Sequence, residues 1–307
     1  MFNVTFCCVH FICHSKWITI YNICVNNNNM KTIIERGNLD SFRKHLNIFK
    51  KQGEDFKVIK SGLTRKIITN KHTLRFFGKD KSSFVKGAWN VNRVKSCIDK
   101  YIDKNGVPKK YDKPHIQVFN TESIIQNLNT PIGCIDVNAC YWTTAMLLGY
   151  IDEKTYRNGI KEANKMGLLV SIGFLNKKPH ITEYKNGMET SNYLDESIHQ
   201  KYSPFYWNII GHTRDLYCAI YDAIGEDFYM WITDCVFFKL EHRYLVEQII
   251  TEWGYKHKFY TSDFTYCSNN IVKWFDTKEN TTKRMSTFAR ELHEEVSMAR
   301  LYHEANI

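Results

Sequence analysis

The sequence contains no uninterrupted apolar run long enough to cross a bilayer, so we expect no membrane-spanning helix. Its first apolar stretch is interrupted by His10, His14 and Lys16 and follows no basic segment, which argues against a signal peptide. Paired cysteines at zinc-finger spacing are also missing. Residues 1–29 hold a cysteine and histidine set without a second half: Cys7, Cys8, His10, Cys13, His14 and Cys24. The pattern therefore predicts neither a membrane protein nor a zinc finger.

Four consecutive asparagines close this N-terminal stretch, and Met30 follows them. We expect residues 1–29 to be a disordered or spurious extension, with Met30 as the true start. After Met30 the sequence shows the hydrophobic periodicity of an ordinary globular protein.

Acidic residues are in the minority, with 32 Asp and Glu against 42 Lys and Arg, a net charge of +10 and a pI near 9.0. This surplus favours polyanionic partners such as nucleic acid, although an ordinary basic surface is an alternative. A hydrophobic share of 43% and an aromatic share of 14% exclude a disordered chain. The 307 residues suffice for one large domain or two small ones.

The ten cysteines predict an intracellular, reducing compartment, because most of them stand singly in apolar surroundings and the chain is too large to need a disulfide framework. The abundance of Asn, Lys, Ile and Tyr is typical of AT-rich genomes, including those of many viruses. If the protein is viral, we expect it in the host cytoplasm.

Helical and strand periodicities are mixed along the chain, which predicts an α+β fold with an antiparallel sheet and helices packed on it. Helices are predicted at 34–52, 89–102, 141–148, 204–224 and 241–253, with a further one from 152 or 155 to 167. Strands are predicted at 56–59, 66–69, 74–77, 116–119, 258–266 and 270–275, and around Asp136 and Asp234. An Asn186–Gly187 pair predicts a hairpin.

A turn-rich, basic stretch at 103–113 is the best candidate linker. We therefore divide the chain into a small N-terminal α+β region at 30–113, a main domain at 114–286 and a C-terminal helix at 287–307.

Two segments nearly a hundred residues apart each place one carboxylate inside an apolar run. Asp136 lies within 132–141 and Asp234 within 228–238. A carboxylate in a buried strand is costly unless something compensates it, and a divalent cation is a common compensator. We expect the two carboxylates within about 5 Å of each other on neighbouring strands, close enough to share metal ions. The cysteines beside them are expected to point to the opposite face. Alone, either aspartate could equally be a surface or edge residue.

Three segments resemble the motifs of family B DNA polymerases. Asp136-Val137-Asn138-Ala139-Cys140-Tyr141 resembles motif A, with Ala139, Cys140 and Trp142 in place of Ser, Leu and Pro. Trp231-Ile232-Thr233-Asp234-Cys235 resembles motif C, with Ile232 in place of the first aspartate. Between them, 165–173 keeps a Lys and, eight positions later, a Gly, but lacks the family's Asn-Ser-x-Tyr. The order of these segments also matches the family's palm, and the small viral and protein-primed members most closely.

The resemblance implies a palm-like sheet at 114–286 with very short fingers at about 150–176. It implies that Asp136 and Asp234 are catalytic and bind two Mg²⁺ ions, with Mn²⁺ as an alternative. Tyr141 would lie under the sugar of the incoming nucleotide, and Lys165 and Gly173 would bind that nucleotide. Basic residues implied or nominated as nucleic-acid contacts are Lys177, Lys178, Arg214, Lys273, Lys283 and Arg284.

These features favour a reduced or split DNA polymerase that acts on a DNA primer–template and dNTPs. Residues 30–130 lack the Asp-x-Glu strand of a proofreading exonuclease, so none is expected. Partners would include other replication proteins or a missing polymerase subunit, and no membrane. One alternative is a catalytically inactive, palm-derived protein that binds nucleic acid or a replication partner. A weaker alternative is a metal-dependent nuclease, for which Asp263 is the only further acid that we nominate.

Overall fold

A computed structural model describes residues 10–13, 16–19, 32–36, 39–61, 64–76, 81–112, 118–162, 165–268 and 271–286. The first half of the chain forms β1 (His10–Cys13), β2 (Lys16–Thr19), β3 (Thr32–Arg36), α1 (Leu39–Lys51), β4 (Phe56–Ser61), β5 (Thr64–Thr69), β6 (His72–Phe76), α2 (Lys81–Asn105), β7 (Val118–Phe119), α3 (Thr121–Gln126), β8 (Pro131–Val137) and α4 (Cys140–Leu147). The second half forms α5 (Glu153–Glu162), α6 (Lys165–Gly173), β9 (His180–Lys185), β10 (Met188–Leu194), α7 (Ser197–Ile224), β11 (Phe228–Ile232), β12 (Cys235–Lys239), α8 (Arg243–Glu252), β13 (His257–Ser268), β14 (Ile271–Asp276) and β15 (Thr281–Ser286). The predicted α+β fold, with sheets whose strands are mainly antiparallel, is confirmed.

The chain divides into two compact units that do not follow a single cut in the sequence. The first unit contains 1–91 and 173–203, and the second contains 92–172 and 204–307. The first unit ends at 91 rather than at the predicted 113, and it also includes 173–203, because β9 pairs with β4 and brings a distant hairpin into the N-terminal sheet. Long-range strand pairing of this kind leaves no local signal in a sequence. Within the predicted extension 1–29 only β1 and β2 are described, and the predicted helix at 287–307 lies outside the described residues.

The first unit is a six-stranded sheet in the order β10-β9-β4-β5-β6-β3, with only β3 and β6 parallel. Helix α1 packs Phe42 onto one face of this sheet, against the alternate residues Val58, Ile67 and Leu74. The predicted Asn–Gly hairpin between β9 and β10 is confirmed. Asn186 and Gly187 both have positive φ, 50° and 73°, as a two-residue hairpin turn requires.

The second unit is a seven-stranded antiparallel sheet in the order β15-β14-β13-β8-β12-β11-β7. One face packs against α4, α7 and α8 through the buried residues Ile135, Val137, Val236, Leu216, Ile220, Val246 and Ile250. The opposite face carries Ile132, Cys134 and Phe237 and packs against α3 through Ile124. Because side chains alternate along β8, the even-numbered residues, including Asp136, belong to the face away from α7 and α8.

Several elements differ from their predicted bounds. Helix α7 begins at Ser197 rather than Pro204, so the proline lies inside the helix. The apolar stretch after Gly167 is helical, as part of α6, and strand β15 was not predicted at all. None of the helices in the described segments combines the length and the apolar character needed to span a membrane. The free thiols among the described side chains are those of Cys97, Cys134, Cys140, Cys218, Cys235 and Cys267.

Gly133 marks the tightest approach in the strand that carries Asp136. A Cβ at this position would lie 2.7 Å from the ring of Phe238, which is fully buried on the neighbouring strand. We expect Gly133→Ala to lower the free energy of unfolding by about 1–3 kcal/mol, because the ring has no space to move into.

Urea unfolding of the purified protein would measure this loss. Gly173→Ala is the matched control, since nothing lies within 4 Å of a Cβ there and its φ of −59° suits alanine. Equal stability of the two variants would contradict the packing at Gly133.

Candidate functional site

Asp136 lies near the end of β8, the strand at the centre of the second sheet. Its side chain is 23% exposed, whereas Ile135 and Val137 on either side are fully buried against the helices. The carboxylate therefore belongs to the sheet face away from α7 and α8, at the end of the strand. This placement agrees with the predicted strand around Asp136.

Asp234 does not lie within a strand, contrary to the prediction. Ile232 and Cys235 pair with each other, so Thr233 and Asp234 form the two-residue turn of the β11–β12 hairpin. The apolar residues on both sides gave a continuous strand-like pattern that hid this turn. In the turn, the hydroxyl of Thr233 donates a hydrogen bond of 2.8 Å to Oδ1 of Asp234.

The pairing of β8 with β12 brings the two aspartates together. Cys235 lies directly opposite Asp136, and the backbone N–H of Val137 donates to the carbonyl of Asp234 at 2.7 Å. Both aspartates line one cavity of about 370 Å³. The two aspartates thus line the same cavity, although Asp234 lies in a turn rather than on the predicted neighbouring strand; the predicted separation of about 5 Å between the carboxylates stays a prediction.

Three further elements complete the cavity. Helix α4 and the residues before it contribute Asn138, Ala139, Cys140, Tyr141 and Trp142, and α6 contributes Leu168, Leu169 and Ile172. Strand β13 contributes Lys258, and the turn after β14 contributes Lys278. Two carboxylates and two lysines thus share one opening with an apolar wall. Paired charges of both signs suit a ligand that carries phosphate and a divalent cation together.

Lys278 is the nearest cation to the first carboxylate. It lies in the turn between β14 and β15, and its Nζ donates to Oδ2 of Asp136 at 2.7 Å. This hydrogen bond raises the pKa of Lys278, so the lysine is protonated at neutral pH. Lys258 stands directly opposite Asp136 on β13. Neither lysine belongs to a motif of the sequence, because each reaches the site through strand pairing or a turn.

The prediction that the neighbouring cysteines point away from the aspartates is wrong for Cys235, and also for Cys134, which shares the even-numbered face of β8 with Asp136. Residues directly opposite each other in an antiparallel pair share a face, and Cys235 stands opposite Asp136. Burial raises the pKa of the Cys235 thiol to about 12, and Tyr260 Oη lies 3.3 Å from its Sγ. The neutral thiol is therefore a poor metal ligand at neutral pH.

Tyr141 lies at the start of α4, half-buried in the cavity wall. Burial raises the pKa of Tyr141, and the negative charge of Asp234 adds to this shift. The phenol is therefore neutral. No side chain caps α4. The backbone N–H groups of its first turn are therefore available to an anion, which a helix N-terminus favours.

Backbone strain accompanies both aspartates. Ala139 has φ 46° and ψ 43°, in the left-handed region, three residues after Asp136. Thr233, immediately before Asp234, has φ 50°, which is unusual for a β-branched residue. Such conformations cost about 1–2 kcal/mol each and concentrate at functional sites.

The predicted nucleotide-binding residues Lys165 and Gly173 are the first and last residues of α6, the helix that lines the cavity. The side chain of Lys165 lies outside the described residues. Gly173 belongs to the first unit by the division of the chain, and it is exposed.

The predicted nucleic-acid contacts fall into different environments. Arg214 is 3% exposed and donates to the hydroxyl of Tyr111 at 2.9 Å, so its position does not support a contact with nucleic acid. Lys283 is held by Asp276 at 2.6 Å and by Glu279. Lys273 and Arg284 lie opposite each other on β14 and β15, and Lys273 also lies over the ring of exposed Tyr266.

Lys177 and Lys178 lie in the first unit, just before β9. Lys178 forms an ion pair of 2.8 Å with Glu196. Lys177 is half-buried, and burial lowers its pKa.

A second group of potential ligands was not predicted. Asp227, Glu241 and His242 place their ligand atoms within 4.8 Å of one another. Lys239 lies 2.8 Å from Glu241 and 3.7 Å from Asp227, so a cation of the chain itself already offsets these charges. The cavity with Asp136 and Asp234 therefore remains the better candidate site.

No protein-family model, no curated protein and no solved structure matches this chain. The interpretation of the site therefore depends on its own geometry and on the motif resemblance given above.

Strain at the hairpin turn makes a testable prediction. We expect Thr233→Gly to raise the free energy of unfolding by about 0.5–1 kcal/mol, because glycine adopts positive φ without the steric cost of a β-branched side chain. Thr233→Ser is the control: it keeps the hydroxyl that donates to Asp234 and keeps a Cβ, so its gain should be smaller. Thermal and urea unfolding would measure both. A clear loss of stability in Thr233→Gly would contradict the strain.

Proposed function

We propose that this protein is a reduced or split DNA polymerase of the family B type, which transfers deoxynucleotides to a primer 3′-hydroxyl without a proofreading exonuclease. The observation that carries the proposal is the meeting of Asp136 and Asp234 in one cavity through the pairing of β8 with β12. The motif resemblance identified these same two residues from the sequence, independently of their position in the fold.

The chemistry of the donor set fits a pair of Mg²⁺ ions, or Mn²⁺ in their place. Asp136 and Asp234 would hold them, and carboxylate oxygens are the ligands that such ions prefer. When bound, the ions supply activation of the primer hydroxyl and neutralisation of charge on the triphosphate. Lys258 and Lys278 line the same opening, where their charges favour a phosphate group.

The remaining walls of the cavity suit a nucleotide. The first turn of α4 has no side-chain cap, and a helix N-terminus favours an anion; Tyr141 in that turn offers a neutral aromatic surface for a sugar or base. Helix α6 starts at Lys165, which the resemblance nominates as a triphosphate contact. Its apolar residues Leu168 and Ile172 line the cavity.

The proposed partners are a DNA primer–template, dNTPs, and other replication proteins or a missing polymerase subunit. Lys273, Arg284 and the exposed ring of Tyr266 combine positive charge with an aromatic surface, which is the combination that single strands bind. We further propose an intracellular, reducing location, and the host cytoplasm if the protein is viral.

One observation favours a catalytically inactive, palm-derived binding protein as the second candidate. Lys278 holds Oδ2 of Asp136, an oxygen that a metal ion would need, and Ile232 replaces the first aspartate of motif C. The nuclease alternative has less support. Asp263 pairs with Pro131, whereas Lys258 pairs with Asp136, so the nominated third acid lies five residues away along β8, about 17 Å.

Primer extension tests the catalytic proposal directly. The purified protein should incorporate dNTPs on a primed template in the presence of Mg²⁺ or Mn²⁺. Asp136→Asn and Asp234→Asn should each lower the rate by about a thousand-fold, because metal-assisted stabilisation of the transition state supplies several kcal/mol.

Asp263→Asn is the matched control, since it removes an acid from the neighbouring strand far from the cavity, and its rate should stay within about twofold of the wild type. Extension that survives in both site variants would overturn the assignment of the carboxylates. Nicking of plasmid DNA without extension would favour the nuclease, and DNA binding without either reaction would favour the inactive protein.

The ion pair at Lys278 predicts a direct effect on metal binding. We expect Lys278→Met to tighten Mn²⁺ binding by about two- to fivefold, because a partly exposed ion pair competes with up to about 1 kcal/mol. Isothermal titration calorimetry without DNA would measure it. Lys273→Met is the control, as it removes a lysine of the same sheet that does not line the cavity. Unchanged affinity in Lys278→Met would show that this lysine does not compete with a cation.

A further inference from the structure

A group of like charges lies on the sheet of the first unit. Lys66 on β5 stands directly opposite Arg75 on β6, and residues opposite each other in an antiparallel pair share a face. Like charges in this position repel each other and destabilise a sheet. Such a pair lowers the stability of the sheet unless an anion offsets its charge.

Lys177 belongs to the same group. Burial lowers the pKa of Lys66, and the charges of Arg75 and Lys177 lower it further. All three side chains are half-buried, and Nε of Arg75 is buried without a hydrogen-bond partner. Buried donors of this kind are normally satisfied, and an unsatisfied one calls for a ligand or another explanation.

None of the carboxylates whose side chains are described offsets this group. The neighbouring acids of the same unit are already paired: Glu183 with Lys57 at 2.7 Å, and Glu196 with Lys178 at 2.8 Å. No carboxylate whose side chain is described forms an ion pair with Lys66, Arg75 or Lys177, and the side chain of Glu35, in register with Arg75 on β3, is not among these. Lys178 is paired with Glu196, whereas the adjacent Lys177 has no ion pair with a described carboxylate. The unpaired positive charge is therefore confined to particular side chains.

We infer that Lys66, Arg75 and Lys177 form a binding site for the phosphate groups of a nucleic-acid strand. An arginine fork flanked by two lysines suits phosphate oxygens, and the net charge of +10 favours a polyanion. The choice of nucleic acid as the source of the phosphate rests on the proposed function. The cation group itself does not, because it lies wholly within the first unit.

Fluorescence anisotropy with a labelled single-stranded DNA oligonucleotide, measured in EDTA, tests the site without any catalysis. The variant Lys66→Gln/Arg75→Gln/Lys177→Gln should bind the oligonucleotide at least about tenfold more weakly at low salt. Its slope of log K against log salt should be smaller by about two, since each lost phosphate contact removes about 0.7. Lys178→Gln is the matched control and should change the affinity by less than about twofold, because its charge is already offset by Glu196.

Thermal unfolding shows whether the variants fold. Removal of the repulsion should leave the midpoint of the triple variant, and of Lys66→Gln alone, at or above that of the wild type.

Glu35 stands beside Arg75 in the β3–β6 pairing, and its side chain is not described. If Glu35→Gln destabilises the protein and leaves DNA binding unchanged, the counter-charge is internal and the inference is wrong.

Competition identifies the source of the phosphate. An unlabelled oligonucleotide should displace the probe at far lower phosphate concentration than inorganic phosphate does; equal displacement would overturn a nucleic-acid site. Equal DNA affinity of the triple variant and the wild type would also overturn it, even if the wild type extends primers. If the triple variant binds more weakly and the wild type extends no primer, the polymerase proposal is wrong and the phosphate-binding site is supported.

Discussion

The position of β8 between β12 and β13 is the constraint on which the rest of the site depends. This strand pairs Asp136 with Cys235 on one side and with Lys258 on the other. The backbone bond from Val137 to the carbonyl of Asp234 then holds the hairpin turn against the end of the strand. A slip of one residue in this register would turn Asp136 into the face that packs against α7 and α8. The buried residues of that face therefore position the carboxylate as well as stabilise the fold.

Strain and charge at the cavity follow from this arrangement. The chain must leave β8 and enter α4 within two residues, and Ala139 takes a left-handed conformation there. It must also reverse between β11 and β12, where Thr233 takes positive φ. Both turns bring polar groups to an opening walled by apolar residues of α6. Lys278 then reaches Asp136 from a third turn, so three separate loops converge on one carboxylate pair.

The positive charge of the chain is distributed unevenly between paired and unpaired sites. Arg214 is buried beside Tyr111, and Lys178 is neutralised by Glu196. Lys66 and Arg75, which no motif singled out, repel each other across two strands instead. Net charge thus indicates that a polyanion is a plausible partner, but only the neighbours of each side chain decide which cations are available to bind it.

The sequence by itself determined the α+β class, most of the helices, the Asn–Gly hairpin and the two aspartates worth testing, because these are expressed in local periodicity and short motifs. Tertiary structure decided the division into two units, the placement of Asp234 in a turn, and the arrival of Lys258 and Lys278 at Asp136. The physical reason is that strand pairing joins residues distant in the sequence, such as Asp136 and Lys258, and its register depends on how whole faces pack rather than on any neighbouring residue. The turn at Asp234 is local, but the apolar residues on both sides of it resemble a continuous strand.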